Sequence, residues 1–192
     1  MGLQKVDFSK NITNVGDYAF AGCSNLKEVI FGENLIKINT GAFSSCRNLT
    51  KITTPISTIF GHNAFYENYN IKEVNLLLGT GVSANLNYGD SPSDNNYRNT
   101  PWYGKTINTI VVPEGVTSLG NYFFYYAQAT NFVLPNTLKS IGTNTFYNAT
   151  NTTNIIIPNT VTYIGSSAFY NVPHITYDGT ASGSPWGAKS IN

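Results

Sequence analysis

Along Ile155–Phe169 apolar residues lead up to Pro158. A second apolar pair follows at Val161 and Ile164, then Gly165, then the dipeptide Ala168-Phe169. Period-two alternation puts Ile155 and Ile157 on one face of a strand, and Pro158, which has no amide proton for a ladder, closes it. Imperfect copies recur from end to end. Phe20, Phe43 and Phe65 are 23 and 22 residues apart, and Phe124, Phe146 and Phe169 are 22 and 23 apart. A period in the twenties means one supersecondary unit per repeat, stacked so that neighbours bury what one unit cannot bury alone.

Six regular units follow from this frame: 3–25, 26–48, 49–70, 107–128, 129–151 and 152–174. In each, the fourth and sixth positions form an inward strand pair, as in Val29/Phe31 and Ile110/Val112. Prolines at Pro55, Pro113, Pro135 and Pro158 end four of the strands. Gly16, Asn39, Gly61, Gly120, Gly142 and Gly165 hold the next recurring slot, which the pattern reads as a turn residue at positive φ. The Ala-Phe dipeptide or its variant then predicts one helical turn that drops Phe into the core. The Phe column is the expected spine.

The segments after Asn70 and His174 break the rhythm in related ways. Each contains Gly-Thr and then a nine-residue match, Thr100–Asn108 against Ser184–Asn192. The chain therefore reads as a single solenoid, 1–192, made of two modules, 3–106 and 107–192, each with three regular repeats and one irregular coil. The first module carries a 16-residue insertion within 79–101. Ile191-Asn192 repeats the strand-opening Ile107-Asn108, so the expectation is a fragment of a longer array.

These residues resemble the BspA-like (Treponema pallidum-type) leucine-rich repeats of bacterial cell-surface proteins. The pattern I-P-x-x-V-x-x-I-G-x-x-A-F carries the likeness over nearly the whole chain, with Cys23 and Cys46 three residues after Phe. It implies a leucine-rich-repeat solenoid of the α/β horseshoe class, a β-rich variant with short helical turns, forming a right-handed superhelix of about eight coils. It departs from the commoner leucine-rich repeat in having proline where an Asn ladder would follow the strand. The likeness also implies a secreted or cell-surface location and adhesion to a host or matrix protein.

Composition narrows the function. The 192 residues carry a net charge of +1 and only 11% charged residues, without the basic excess that phosphate backbones demand, so nucleic acid is not an expected partner. Asn, Thr, Ser and Tyr take the place of charge, which suits turns and an external surface. No apolar run approaches the roughly 20 residues of a membrane span, so the expectation is that any signal or anchor lies outside this chain. His62 and His174 fall far apart in the repeat frame and two cysteines are too few for a metal cage. No catalytic constellation assembles; the expectation is a monomeric, non-enzymatic module without cofactor or metal.

Gly79–Ala84 imitates a dinucleotide fingerprint, but the polar stretch Asn85–Pro92 cannot open the helix that would hold pyrophosphate. Cys23 and Cys46 occupy equivalent slots, as a bridge or as two buried thiols. Asn11, Asn48, Asn148 and Asn151 fit the N-glycosylation pattern that an Asn/Thr-rich chain produces by chance.

The outward strand positions say more. The third position reads Lys5, Glu28, Lys51, Glu73, an alternating-sign ladder. The fifth position includes Ile30 and then Val111, Val133 and Ile156, an apolar stripe on the face where horseshoes bind protein; β-branched residues also simply suit strands. A second column, Tyr66, Tyr125, Tyr147 and Tyr170, follows the buried Phe. With Trp102 and Tyr103 it offers a glycan site, or else covers the core edge. A spacer that holds another domain away from the cell wall is the third reading.

Overall fold

The computed structural model describes residues 2–9, 11–80 and 96–192. The chain winds as a parallel β-solenoid. Each regular coil is one longer strand, one two-residue strand and a stretch of consecutive turns. The longer strands are β1 (Lys5–Phe8), β3 (Glu28–Phe31), β5 (Lys51–Pro55), β7 (Glu73–Leu77), β8 (Thr106–Val111), β10 (Gln128–Val133), β12 (Ile155–Ile156) and β14 (Ile175–Thr176). The two-residue strands are β2 (Asn14–Val15), β4 (Lys37–Ile38), β6 (Ile59–Phe60), β9 (Ser118–Leu119), β11 (Ser140–Ile141) and β13 (Tyr163–Ile164). Seven turns of the solenoid separate β1 from β14.

Six longer strands make one sheet in the order β1-β3-β5-β7-β8-β10. The sheet passes directly from β7 to β8, where Val74 pairs with Ile110 and Asn75 with Val111. The row then splits: β12 pairs with β14 in a separate two-stranded sheet, and no ladder joins β10 to β12. The short strands form two three-stranded sheets, β2-β4-β6 and β9-β11-β13.

The inward pairs are buried as the alternation requires: Val29, Phe31, Ile110, Val112, Ile155 and Ile157 all lie in the core. The prolines that close strands also start the next bend, since the carbonyls of Pro55, Pro113, Pro135 and Pro158 each accept from the amide three residues on. The phenylalanines stack coil on coil, with ring centroids 5.1 Å apart for Phe20/Phe43, 5.5 Å for Phe43/Phe65 and 5.2 Å for Phe146/Phe169.

Two expectations are corrected. The Ala-Phe segment is not a helical turn; the one helical element among the described residues is the 3-10 turn Asn96–Asn99. Amides alternate there instead. Those of Ala42, Ser44 and Cys46 bond back three residues within their coil, while those of Gly41, Phe43 and Ser45 donate to His62, Ala64 and Tyr66 of the next coil. Every second amide thus ties neighbouring coils together, which a helix would forbid by turning all amides along its own axis.

The glycine slot is likewise not a positive-φ position. The left-handed residues lie two and six places later, as at Tyr18/Gly22, Gly41/Ser45 and Asn144/Asn148. Glycine is required for a different reason. A Cβ on Gly142 would stand 2.6 Å from the Gly120 carbonyl carbon, and one on Gly165 would stand 2.5 Å from the Thr143 nitrogen. At Gly61, Gly142 and Gly165 the coils approach backbone to backbone, and a side chain would wedge them apart, whereas the second coil carries Asn39 in the same slot.

Asn and Thr side chains tie the coils as well. Asn48 Nδ2 donates to the Ser24 carbonyl at 2.7 Å, Asn70 Nδ2 to the Arg47 carbonyl at 2.8 Å and Thr50 Oγ1 to the Lys27 carbonyl at 3.1 Å. The richness in Asn and Thr is therefore partly intercoil bonding.

Candidate functional site

The apolar stripe forms on the outer face of the longer strands. Alternation turns the fifth position of each unit outward, and the strand register sets Val111 beside Val133. Val111 is 49% exposed, Val133 43% and Ile156 66%. Ile156 lies on β12, across the seam where the sheet splits, and its other neighbour is Thr176. Ile30 sits in the same row but half-buried, separated from Val111 by Thr53 and Asn75. The structure thus brings three of the four strand-face residues together.

At the seam lies an open groove of about 490 Å³, lined by Phe132, Val133, Leu134, Ile156 and Pro158, with Asn131, Asn136, Thr153 and Asn154 at its rim. No charged side chain lines it. An occupant would gain apolar contact with hydrogen bonds at the edge, the usual anatomy of a protein-binding patch. Sequence pattern found Val133 and Ile156 but not the seam between them.

The aromatic column is real but differs in kind. Tyr125 and Tyr147 stack at 5.0 Å, and Tyr147 and Tyr170 at 4.5 Å with rings only 13° from parallel. Their faces are occupied by each other, and partial burial next to Tyr170 and Tyr126 holds the Tyr147 phenol above its ordinary range. Trp102 is corrected outright as a sugar platform. It is 1% exposed, packs against Phe60, Phe123 and Phe124, and donates Nε1 to the Phe123 carbonyl at 2.8 Å. Trp102 carries the aromatic spine through the irregular coil. The shared Pro-Trp of the two nine-residue segments signalled that role, since Trp186 is buried too.

The third-position ladder forms in register, with Lys5–Glu28 at 2.7 Å, Lys51–Glu28 at 3.8 Å and Lys51–Glu73 at 2.9 Å. Hydrogen bonds from Lys51 and Asn75 hold the Glu73 carboxyl below its ordinary range. Those from Arg47 and Ser45 do the same for Glu67. All these charges are satisfied by one another.

Both cysteines are free thiols. Cys46 is buried, donates to the Phe20 carbonyl at 3.0 Å, and is pushed up to about 11 by burial. Its slot is filled in the next coil by buried Asn68, whose side-chain amide donates to the Phe43 carbonyl at 2.7 Å, and further on by buried Ala127, Ala149 and Val172, so the position asks for a small side chain. His174 Nδ1 lies 2.7 Å from Ser190 Oγ, while His62 is exposed. Among the described residues no group of His, Cys, Asp or Glu is placed to hold a metal ion, and no helix is long and apolar enough to cross a membrane. Of the glycine-rich Gly79–Ala84, only Gly79 and Thr80 lie within the described residues; Thr80 bonds back to the Glu33 carbonyl and the Asn34 side chain. The bulk of the 79–101 insertion lies outside them.

The sequence matches the BspA type Leucine rich repeat region in six copies, over residues 1–84 and 98–180. The chain belongs to that repeat family. Among solved structures, the repeat resembles a leucine rich cell surface protein of Faecalibacterium prausnitzii A2-165 at 26% identity and TM-score 0.46, over 92% of this chain and 39% of that one. A leucine-rich repeat protein of Bacteroides ovatus matches at 19% identity and TM-score 0.47, over 98% and 54%. The T. pallidum leucine rich repeat protein matches at 16% identity and TM-score 0.37, over 91% and 58%. This chain spans between about two fifths and three fifths of those proteins. No curated protein matches it.

Proposed function

We propose that this BspA-type repeat is a monomeric, non-catalytic module of a bacterial cell-surface protein that docks a host or matrix protein on the strand face of its second half. The observation that carries this reading is the uncharged groove at the β10–β12 seam, continuous with exposed Val111, Val133 and Ile156. An apolar, preformed face next to amide side chains loses little entropy on docking and desolvates at low cost. The coils behind it are tied by backbone and side-chain bonds, so the face stays in register while a ligand engages it.

A panel of purified extracellular-matrix proteins passed over the immobilised chain tests the reading. The expected result is a ligand whose affinity is insensitive to salt between about 0.05 and 0.5 M, since no charge lines the groove, and which Val133→Lys with Ile156→Lys abolishes while the thermal unfolding midpoint stays in place. Unchanged binding by that double variant removes the site. The glycan reading on Tyr125, Tyr147 and Tyr170 is less favoured, because stacked rings offer edges rather than free faces. A spacer role rests on the same intercoil bonds and predicts no face-specific effect of any substitution.

A further inference from the structure

The second face of the solenoid, made by the short strands, carries a feature that the docking groove does not use. β9, β11 and β13 pair in register, so Ser118, Ser140 and Tyr163 stand in one outward row. Neighbouring strands are spaced about 4.8 Å, which gives the row a length of about 10 Å. Ser140 Oγ donates to Ser118 Oγ at 2.8 Å, leaving the Ser118 hydroxyl proton and a Ser140 lone pair for a ligand. Tyr163 is 59% exposed. Among the tyrosines of residues 107–192 it is the one whose ring is exposed and unstacked, and its hydroxyl makes no bond among the described residues.

Around the row is a shallow groove of about 280 Å³ lined by Ser118, Gly120, Asn121, Ser140, Gly142 and Tyr163. Gly120 and Gly142 leave the floor as bare backbone, and Asn121 Oδ1 is held in place by the Thr143 amide at 2.8 Å. The corresponding row of the first half reads Asn14, Lys37, Ile59, and Asn39 stands where the second half has Gly142. A hydroxyl row, an open floor and a free aromatic face are thus confined to one half.

We infer that this groove binds a neutral oligosaccharide lying along the solenoid axis, with a pyranose ring stacked on Tyr163 and its hydroxyls bonded to Ser118 and Ser140. The chemistry fits that class. A sugar ring presents axial C–H groups to an aromatic face and equatorial hydroxyls to short side chains that both donate and accept. No carboxylate or ammonium lines the groove, so a charged glycan finds no counter-ion there. The site is separate from the apolar groove and stands or falls independently of protein docking.

The test is an array of neutral and acidic oligosaccharides probed with the whole chain, its hits titrated calorimetrically. The expected result is binding of at least one neutral oligosaccharide, weakened at least tenfold by Tyr163→Ala and about threefold or more by Ser140→Ala. Tyr163→Trp retains it, and Tyr170→Ala, on the stacked column, leaves it unchanged. The inference is overturned if no neutral oligosaccharide binds, if Tyr163→Ala binds as the parent does, or if Tyr170→Ala is the variant that loses binding. Unfolding midpoints equal to the parent's exclude loss of fold, which is the expectation for a side chain this exposed.

Discussion

The two halves of the solenoid share one scaffold and differ in what they turn outward. In the first, the strand face carries Lys5, Glu28, Lys51 and Glu73, charges that neutralise each other across neighbouring strands and leave nothing unmet for a partner. In the second, the same third position reads Thr109, Asn131 and Asn154, and the fifth gives Val111, Val133 and Ile156. The sheet is continuous through the first four coils and into β10, then opens at the seam. Identical repeat chemistry thus produces a self-satisfied face and an unsatisfied one, and the proposed recognition belongs to the unsatisfied one.

The largest effect should come from the shared scaffold. A side chain at Gly142 meets the backbone of the preceding coil, so Gly142→Val should cost about 3 kcal/mol or more, read from urea midpoints. Gly16 in the first coil has open space where a Cβ would stand, and Gly16→Ala should stay within about 1 kcal/mol of the parent. Equal loss at both positions would mean that conformational freedom, rather than coil approach, explains the slot.

A smaller effect separates the faces by charge. Glu73 is held below its ordinary carboxyl range in the folded chain, so its contribution is present above the unfolded value and lost as pH falls through the folded one. Lys51, raised by Glu73, contributes fully below its unfolded value and loses that contribution only as pH rises through its higher folded one, outside the acid window. Stability should therefore drop between about pH 5 and pH 3, and less so in Glu73→Gln. High salt should shrink that difference, while Val111→Thr, in the uncharged half of the same strand face, should show no such dependence.

The smallest is chemical. Cys46 is buried with its thiol pushed up to about 11, whereas Cys23 is partly exposed. Iodoacetamide near pH 8 should label Cys23 first and reach Cys46 only on unfolding, followed by mass spectrometry. Rapid labelling of both would contradict the packed slot.

Much of the fold is legible from periodicity. A spacing of 22 or 23 residues with Phe as marker gives the stack, its inward pairs and the charge ladder, because each depends only on which residue stands where in the repeat. Features that depend on backbone direction are not legible. Tyr18 and Tyr122 adopt positive φ although tyrosine carries no signal for it, so the pattern assigns to the glycines a role that lies two residues further on. Trp102 reads as a surface aromatic because its coil breaks the rhythm; the Pro-Trp it shares with the second irregular coil is the one sequence sign that it stands in for Phe, and the stacking makes that plain. The seam between β10 and β12 has no sequence marker, since the residues on either side follow the repeat; it is a property of how two coils meet.

The most direct measurement compares equivalent lysine substitutions on the two halves against one matrix-protein ligand. Ile156→Lys with Val133→Lys is set beside Thr53→Lys with Asn75→Lys in the same row of the same solenoid, all verified as folded. Loss of binding in the first pair at least tenfold, with the second pair binding as the parent does, is the predicted result. Equal loss in both pairs, or none in the first, would contradict the assignment of recognition to the apolar half.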